Sequence, residues 1–229
     1  MIRDAVRSGA TYHVIGAVRG LSAEPTGVLA SVEAFAPTAV GLGLSVEEYR
    51  GMRDHFVNTP HEPVVTLTET ELAEIRGLAQ FGEVRVPNPT PLAVIAWGEA
   101  RGVPVEPLDP SDDVYSTMFS DMISYVELVR RTVRERRLTR FPPVAKSPDD
   151  YALAWDRAVG RGAGSVRFAT ARDSVLVRSA LRLGQRHPRV SVIVDRERFD
   201  RVLGLLRAPT PWILSSSSPQ AEVKSLPEG

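Results

Sequence analysis

The chain has 229 residues, of which 43% are hydrophobic and 24% are charged, a composition typical of a globular protein with one sizeable core. Its 28 basic residues balance its 28 acidic residues, so the net charge favours neither nucleic acid nor an anionic membrane as a partner. Cysteine, a signal peptide and an apolar run long enough for a membrane span are all absent, so we expect a cytoplasmic protein without disulfides or thiolate chemistry.

The first half of the chain alternates short apolar runs with amphipathic stretches. Strands are predicted over 11–16, 38–44 and 103–109, and helices over 24–36, 45–56, about 68–79 and 90–102. Ser45 and Glu48 have the spacing of a capping box at the start of the second helix. A short extended piece is predicted at 63–67. This strand–helix–strand order predicts crossover connections and a largely parallel sheet.

The second half opens with a predicted helical segment over about 111–162. Its long helix, from Asp112 to about Arg137, ends in the arginine-rich stretch 130–140, which is typical of a solvated helix end. The elements predicted after it are a helix from Ser147 or Asp149 to Val159, a flexible joint at 160–165, a helix from Ser165 or Thr170 to Arg186, a strand over 189–194, a helix over 195–207 and a strand at 212–214.

Together these elements predict an α/β fold, with a mixed, largely parallel central sheet flanked by helices and a long helical insertion. We expect a single domain over 1–214 and a disordered tail over 215–229, which is rich in serine and polar residues. In open parallel sheets, ligands bind beyond the carboxyl ends of the strands. The segments predicted at those ends are 16–20, 43–45, 109–113 and 195–198.

Familiar motifs for cofactor or metal binding do not occur at these strand ends. Neither GxGxxG nor GxxxxGK[ST] follows the first strand, and the nucleophile elbow GxSxG is missing from the chain. The histidines form neither an HExxH motif nor a cluster with metal-ligand spacing; they are His13, His55, His61 and His187. We therefore expect no cofactor and no bound metal.

The stretch "YHVIGAVRGLSAEPTGVLASVEAFAPTAVGLGLSVEEYRGM", 12–52, resembles the opening of TraB/PrgY-type proteins, which belong with Tiki-like proteases and erythromycin-esterase-like proteins. Gly16 matches the glycine of the family's first-strand GxxH motif, and Pro37 matches the proline of its second-strand motif. Segments 90–109 and 169–206 are similar to later family segments in the same order. The resemblance covers about 11–207 and implies hydrolysis, with His and Glu groups that bind metal or move protons.

The departures from this family pattern fall on its polar site positions. Arg19 stands where the family has its first histidine, Gly43 replaces an acidic residue, and Pro110 replaces the arginine after Asp109. The last histidine has no counterpart near 195–198. The matching positions are Gly16, Asp109, Arg172 and Asp173. Arginine stays protonated near neutral pH and neither binds a metal nor acts as a base, so the resemblance implies a domain that has lost the family's mechanism.

We therefore predict a catalytically degenerate TraB/PrgY-like domain, without catalytic residues, that acts in binding or assembly. The candidate cleft consists of Gly16, Arg19, Gly43, Asp109, Arg172 and Asp173. If Arg19 and Arg172 converge, they would bind a small anion or a carboxylate of a protein partner. Alternatively, the two arginines pair with Asp109 and Asp173 and only hold the end of the sheet together.

Two further functions remain open at this stage. An active metal-dependent hydrolase, peptidase-like or esterase-like, would use Asp109, Asp112 and Asp113 with His55 or His61, because carboxylates hold hard cations such as Mg²⁺. The same "DPSDD" segment is more typical of a turn that caps the following helix. An interaction subunit of a homo- or hetero-oligomer would instead use the apolar faces of the 112–137 helix and of "PWIL", 211–214.

Overall fold

The computed structural model describes residues 1–58 and 67–208, and within them the side chains of 1–54 and 67–208. The extended piece predicted at 63–67 lies outside these residues except for Leu67. His61, the side chain of His55, the strand predicted at 212–214 with its "PWIL" face, and the tail 215–229 also lie outside them.

A five-stranded sheet forms the centre of the described structure. Its strands are β1 (Ile2–Arg7), β2 (Ala10–Ala17), β3 (Ala39–Leu42), β4 (Val105–Pro107) and β5 (Arg189–Asp195). Their spatial order is β1-β2-β5-β3-β4; β1 is antiparallel to β2, and the other neighbouring pairs are parallel. The predicted α/β fold with a mixed, largely parallel sheet is confirmed.

Strand β1 is an edge strand that the sequence analysis missed. Only Ala5 is buried in it, so the strand carries no apolar run by which a sheet strand is recognised. Ser8 and Gly9 join β1 to β2 as a two-residue hairpin, and both have positive φ, of 51° and 82°. The favoured turns of a hairpin of this length use such angles, and Ser-Gly is one of the dipeptides that mark a turn.

Helices flank the sheet and are shaped by local capping residues. They are α1 (Glu24–Phe35), α2 (Val46–Asn58), α3 (Glu69–Leu78), α4 (Pro89–Arg101), α5 (Asp112–Met122), α6 (Tyr125–Arg140), α7 (Pro148–Val159), α8 (Ala163–Arg186) and α9 (Phe199–Arg207), with 3₁₀ turns at Ala79–Phe81 and Arg196–Arg198. The predicted capping box of α2 is confirmed: the Ser45 backbone N–H donates to Glu48, and the Glu48 N–H donates to the Ser45 hydroxyl.

The helical insertion differs from the prediction in two places. The helix predicted over 112–137 is two helices, because Ile123 is buried in an extended conformation and the Ser124 hydroxyl caps α6. Of the predicted joint 160–165, only residues 160–162 connect two helices, because α8 begins at Ala163. The Glu127 carboxylate accepts hydrogen bonds from the backbone N–H groups of Gly164 and Ser165, at 3.0 and 2.7 Å, and so caps α8 from a distant part of the chain.

The two faces of the sheet bury different helices. Val14 and Val192 pack with apolar residues of α8 and α9, whereas their neighbours Ile15 and Ile193 pack with α1 and α4. A third apolar cluster includes Val18, just after β2, and joins residues of α3 and α7 near the carboxyl ends of the strands. None of the helices in the described ranges combines the length and apolar character that a membrane crossing requires.

Candidate functional site

The four parallel strands bring their carboxyl ends to one edge of the sheet, where two adjoining cavities open. The arginine cavity, of about 160 Å³, is lined by side chains of α5 to α9, among them Arg131, Arg172 and Arg201. The acidic cavity, of about 130 Å³, is lined by Arg19 and Glu74 among others. Both are bordered by Asp156, Val159 and Glu197, so they share a wall and form one cleft.

A buried network of charges forms the base of the arginine cavity. Arg198 donates to both carboxylate oxygens of Asp109, at 2.6 and 2.7 Å, and its Nε donates to Asp173 at 2.7 Å. Arg172 donates to Asp109, and Arg201 donates to Asp173 at 2.6 Å. The side chains of Asp109, Asp173 and Arg198 are at most 4% exposed. Burial at this level requires paired charges, and the network supplies the partners.

Arg172 and Arg201 each donate to this network through only some of their guanidinium nitrogens. Arg172 donates through Nε and Nη2, and Arg201 donates through Nε alone, among the described residues. Their side chains are 25% and 38% exposed and line the arginine cavity. The Arg172 guanidinium also lies 5.3 Å from the centre of the Tyr115 ring. Both arginines are therefore held by buried carboxylates while keeping donors for a ligand.

Arg19 occupies the neighbouring acidic cavity. It donates to Asp195 at 2.7 Å, and its side chain is 59% exposed. Burial would raise the pKa of the Asp195 carboxyl, but the charge of Arg19 and this hydrogen bond outweigh burial and hold the pKa below its ordinary value. The structure thus gives Arg19 and Arg172 different carboxylate partners and places them in adjoining cavities.

The two glycines of the predicted cleft act through close packing. Gly16 in β2 pairs with Val194, and a Cβ at this position would lie 2.8 Å from the Phe199 Cβ, so only glycine lets α9 start here. A Cβ at Gly43 would lie 3.5 Å from Nη1 of Arg198, which places Gly43 beside the buried arginine.

The residues that the sequence analysis missed are the carboxyls of the shared wall and the buried arginine. Burial, reinforced by the charge of Asp195, raises the pKa of Glu197 to about 8, so it keeps its proton at neutral pH. Burial also raises the pKa of Asp156 and of Glu74. The sequence predicts a strand end at 195–198, and Glu197 lies within that segment. Its position two residues after the strand is the one signal in the sequence that could have marked Glu197 as a site residue.

Of the residues of the hydrolase alternative, the structure describes the side chains of the aspartates only. Asp109 is paired with arginines, whereas Asp112 and Asp113 are exposed in the first turn of α5. His13, which is not part of that alternative, lies in β2 and hydrogen-bonds to Asp4 and Ser31. Among the side chains that the structure describes, no group of three or more His, Cys, Asp or Glu residues is arranged to hold a metal ion.

Comparison of the chain with known proteins finds no matching family model, curated protein or solved structure. The resemblance to TraB/PrgY-type proteins therefore stays a prediction. An α/β fold hosts many functions, so function is best argued from the charges and geometry of the cleft.

Proposed function

We propose that this chain is a binding domain whose cleft holds a small anionic group on Arg172 and Arg201, within a catalytically degenerate TraB/PrgY-like domain. The observation that supports the proposal is that only some of the N–H groups of these two guanidinium groups donate to protein carboxylates. Each is anchored to a buried carboxylate, and each has further N–H groups without a partner among the described residues. Anchored arginines are suited to bidentate recognition of a carboxylate or phosphate.

The charge balance of the network favours an anion. Three guanidinium groups, of Arg172, Arg198 and Arg201, face two carboxylates, of Asp109 and Asp173, which leaves one positive charge. Because the pairs are largely shielded from water, an anion in the arginine cavity would interact with this charge more strongly than at an open surface. An anionic ligand would neutralise this charge of the network; Asp156 and Glu197, which line the same cavity, lie outside this count.

The proposal that the domain has lost catalysis depends on the two positions where the TraB/PrgY-type pattern has a histidine and an acidic residue. Arg19 replaces the first histidine, and it pairs with Asp195. Gly43 replaces an acidic residue and has no side chain with which to hold a metal or a proton. Neither position offers a base or a metal ligand near neutral pH.

Isothermal titration calorimetry with acetate and inorganic phosphate, at constant ionic strength, tests the anion site. We expect saturable binding of at least one probe, weakened about tenfold or more in Arg201→Gln, the equivalent of about 1.4 kcal/mol. Arg178→Gln is the matched control, because Arg178 is an exposed arginine of α8 outside the cleft. Absence of saturable binding of both probes, or equal weakening by the control, would contradict the proposal.

Hydrolysis remains a second candidate because of one observation. Glu197 holds its proton near neutral pH beside Asp195, whose pKa is lowered, and a protonated acid next to a carboxylate is a common acid–base arrangement. A metal-dependent hydrolase is tested by equilibrium dialysis of the purified protein with Mn²⁺, Mg²⁺ and Zn²⁺. Stoichiometric binding of any of them would favour the hydrolase over the degenerate domain.

A further inference from the structure

We propose that the ligand of the cleft is a zwitterion of α-amino acid chemistry, with its carboxylate on Arg172 and Arg201 and its ammonium group beside Asp156 and Glu197. This inference rests on the proposed anion site and names the ligand class. It follows from the presence of both guanidinium and carboxyl groups in the lining of the arginine cavity and from the size of that cavity.

The shared wall carries two half-buried carboxyl groups, and the charge of Arg201 acts on one of them, Asp156, without a hydrogen bond. Asp156 on α7 and Glu197 in the 3₁₀ turn after β5 border both cavities, and neither side chain accepts a hydrogen bond from another described residue. Burial raises the pKa of both carboxyls, and the charge of Asp156 adds to the rise at Glu197. A cation placed beside them would favour their ionised forms.

The arginines border the same cavity as the carboxyls. Arg172 and Arg201 line the arginine cavity together with Asp156 and Glu197. A molecule that carries one negative and one positive group would therefore meet both donors and acceptors within one cavity. A simple anion would use only the arginines and leave the carboxyl wall unpaired, which costs binding energy when water is displaced.

The remaining lining of the arginine cavity is mixed: Arg131, Ser165, Asp173 and Arg198 are polar, and the other side chains are apolar. Tyr115 and Phe168 contact edge to face, with ring centres 4.9 Å apart, and Ile123 lies in the same lining. These side chains would receive a short hydrocarbon group. At about 160 Å³ the cavity is well below the roughly 300–1,000 Å³ of sites for drug-sized ligands, which favours a single amino acid over a peptide.

The test compares one amino acid with two analogues, one without the amino group and one without the carboxyl group. Thermal unfolding of the full chain with the twenty common L-amino acids identifies the most stabilising one. Calorimetry then measures that amino acid, the matching carboxylic acid without the amino group and the matching amine without the carboxyl group. For L-leucine these are 4-methylpentanoate and 3-methylbutylamine. We expect the amino acid to bind at least tenfold more tightly than either analogue.

Asp156→Asn tests the ammonium contact directly. We expect it to reduce the preference for the amino acid over the carboxylic acid severalfold. Asp150→Asn is the matched control, since Asp150 is an exposed aspartate of α7 outside the cleft. We expect this control to keep the full preference.

The outcomes separate this inference from the anion site on which it rests. If the carboxylic acid, acetate or phosphate binds as tightly as every amino acid, the anion site stands and the zwitterion inference is overturned. If neither the amino acids nor the anions bind, both fail. An unchanged preference in Asp156→Asn would overturn the assigned position of the ammonium group.

Discussion

Two pairs of carboxyl groups lie at the same edge of the sheet, and their surroundings are opposite. Asp109 and Asp173 are almost fully buried, and each accepts hydrogen bonds from two arginines. Asp156 and Glu197 line the cavities, and no other described residue donates a hydrogen bond to either side chain. Burial alone therefore does not mark a functional carboxyl: the neutralised pair, Asp109 and Asp173, supports the fold, and we propose that the pair without partners, Asp156 and Glu197, is available to a ligand.

The largest effect is expected from breaking the neutralised pair. Arg198→Met removes the arginine that joins Asp109 and Asp173, and it leaves buried carboxylates with weaker compensation. We expect the free energy of unfolding to fall by about 3–5 kcal/mol, measured by urea denaturation. Arg178→Met, on the exposed surface of α8, is expected to change it by about 0.5 kcal/mol or less. Similar losses in the two variants would show that Asp109 and Asp173 do not depend on Arg198.

In the pair without partners, a substitution should stabilise the protein at neutral pH rather than destabilise it. A Glu in the unfolded chain ionises near pH 4.5, whereas Glu197 in the folded protein keeps its proton to about pH 8. Between these values the unfolded state releases a proton that the folded state retains, so wild-type stability falls as pH rises. Glu197→Gln cannot ionise, and we expect its stability relative to the wild type to rise by a few kcal/mol between about pH 5 and pH 8.

Urea denaturation at several pH values measures this difference. Asp150→Asn serves again as the control, since an exposed carboxyl should produce no comparable trend over the same range. A stability difference between Glu197→Gln and the wild type that stays constant with pH would show that Glu197 ionises normally.

The smallest effect concerns Arg19, whose carboxylate partner belongs to neither pair. Asp195 has a lowered pKa in the folded state, so its pairing with Arg19 stabilises the protein above the unfolded pKa and is lost as the pH falls. Because Arg19 is mostly exposed, we expect Arg19→Gln to cost about 1 kcal/mol or less at neutral pH. The loss should shrink in acid, as measured by urea denaturation at pH 7 and about pH 3; a larger loss in acid would contradict the pairing.

Local signals predicted most of the fold. The apolar runs at 11–16 and 189–194 form β2 and β5, and the Ser45–Glu48 box begins α2 as predicted. The features that were missed depend on contacts distant in sequence. The start of α8 is set by Glu127, which lies 37 residues before Gly164, and β1 has too few buried residues to show a pattern.

The candidate site was less predictable for the same reason. Asp109, Arg172 and Asp173 could be selected from the sequence, but the buried state of Arg198 depends on partners 89 and 25 residues away. The carboxyls of Asp156 and Glu197 form no motif either, because only the folded chain brings α7 beside the end of β5. Charge neutralisation is a property of the assembled cleft, because the paired residues are not related by a regular spacing in the sequence.

The most direct test of the account is the pKa of Glu197, followed by ¹³C NMR of the side-chain carboxyls with and without the most stabilising L-amino acid. Without ligand, we expect Glu197 to titrate near pH 8. With saturating amino acid, the ammonium group should favour the ionised carboxyl and lower its pKa by about one unit or more. A Glu197 pKa that is ordinary in the unliganded protein, or that stays the same or rises with the amino acid, would contradict the account.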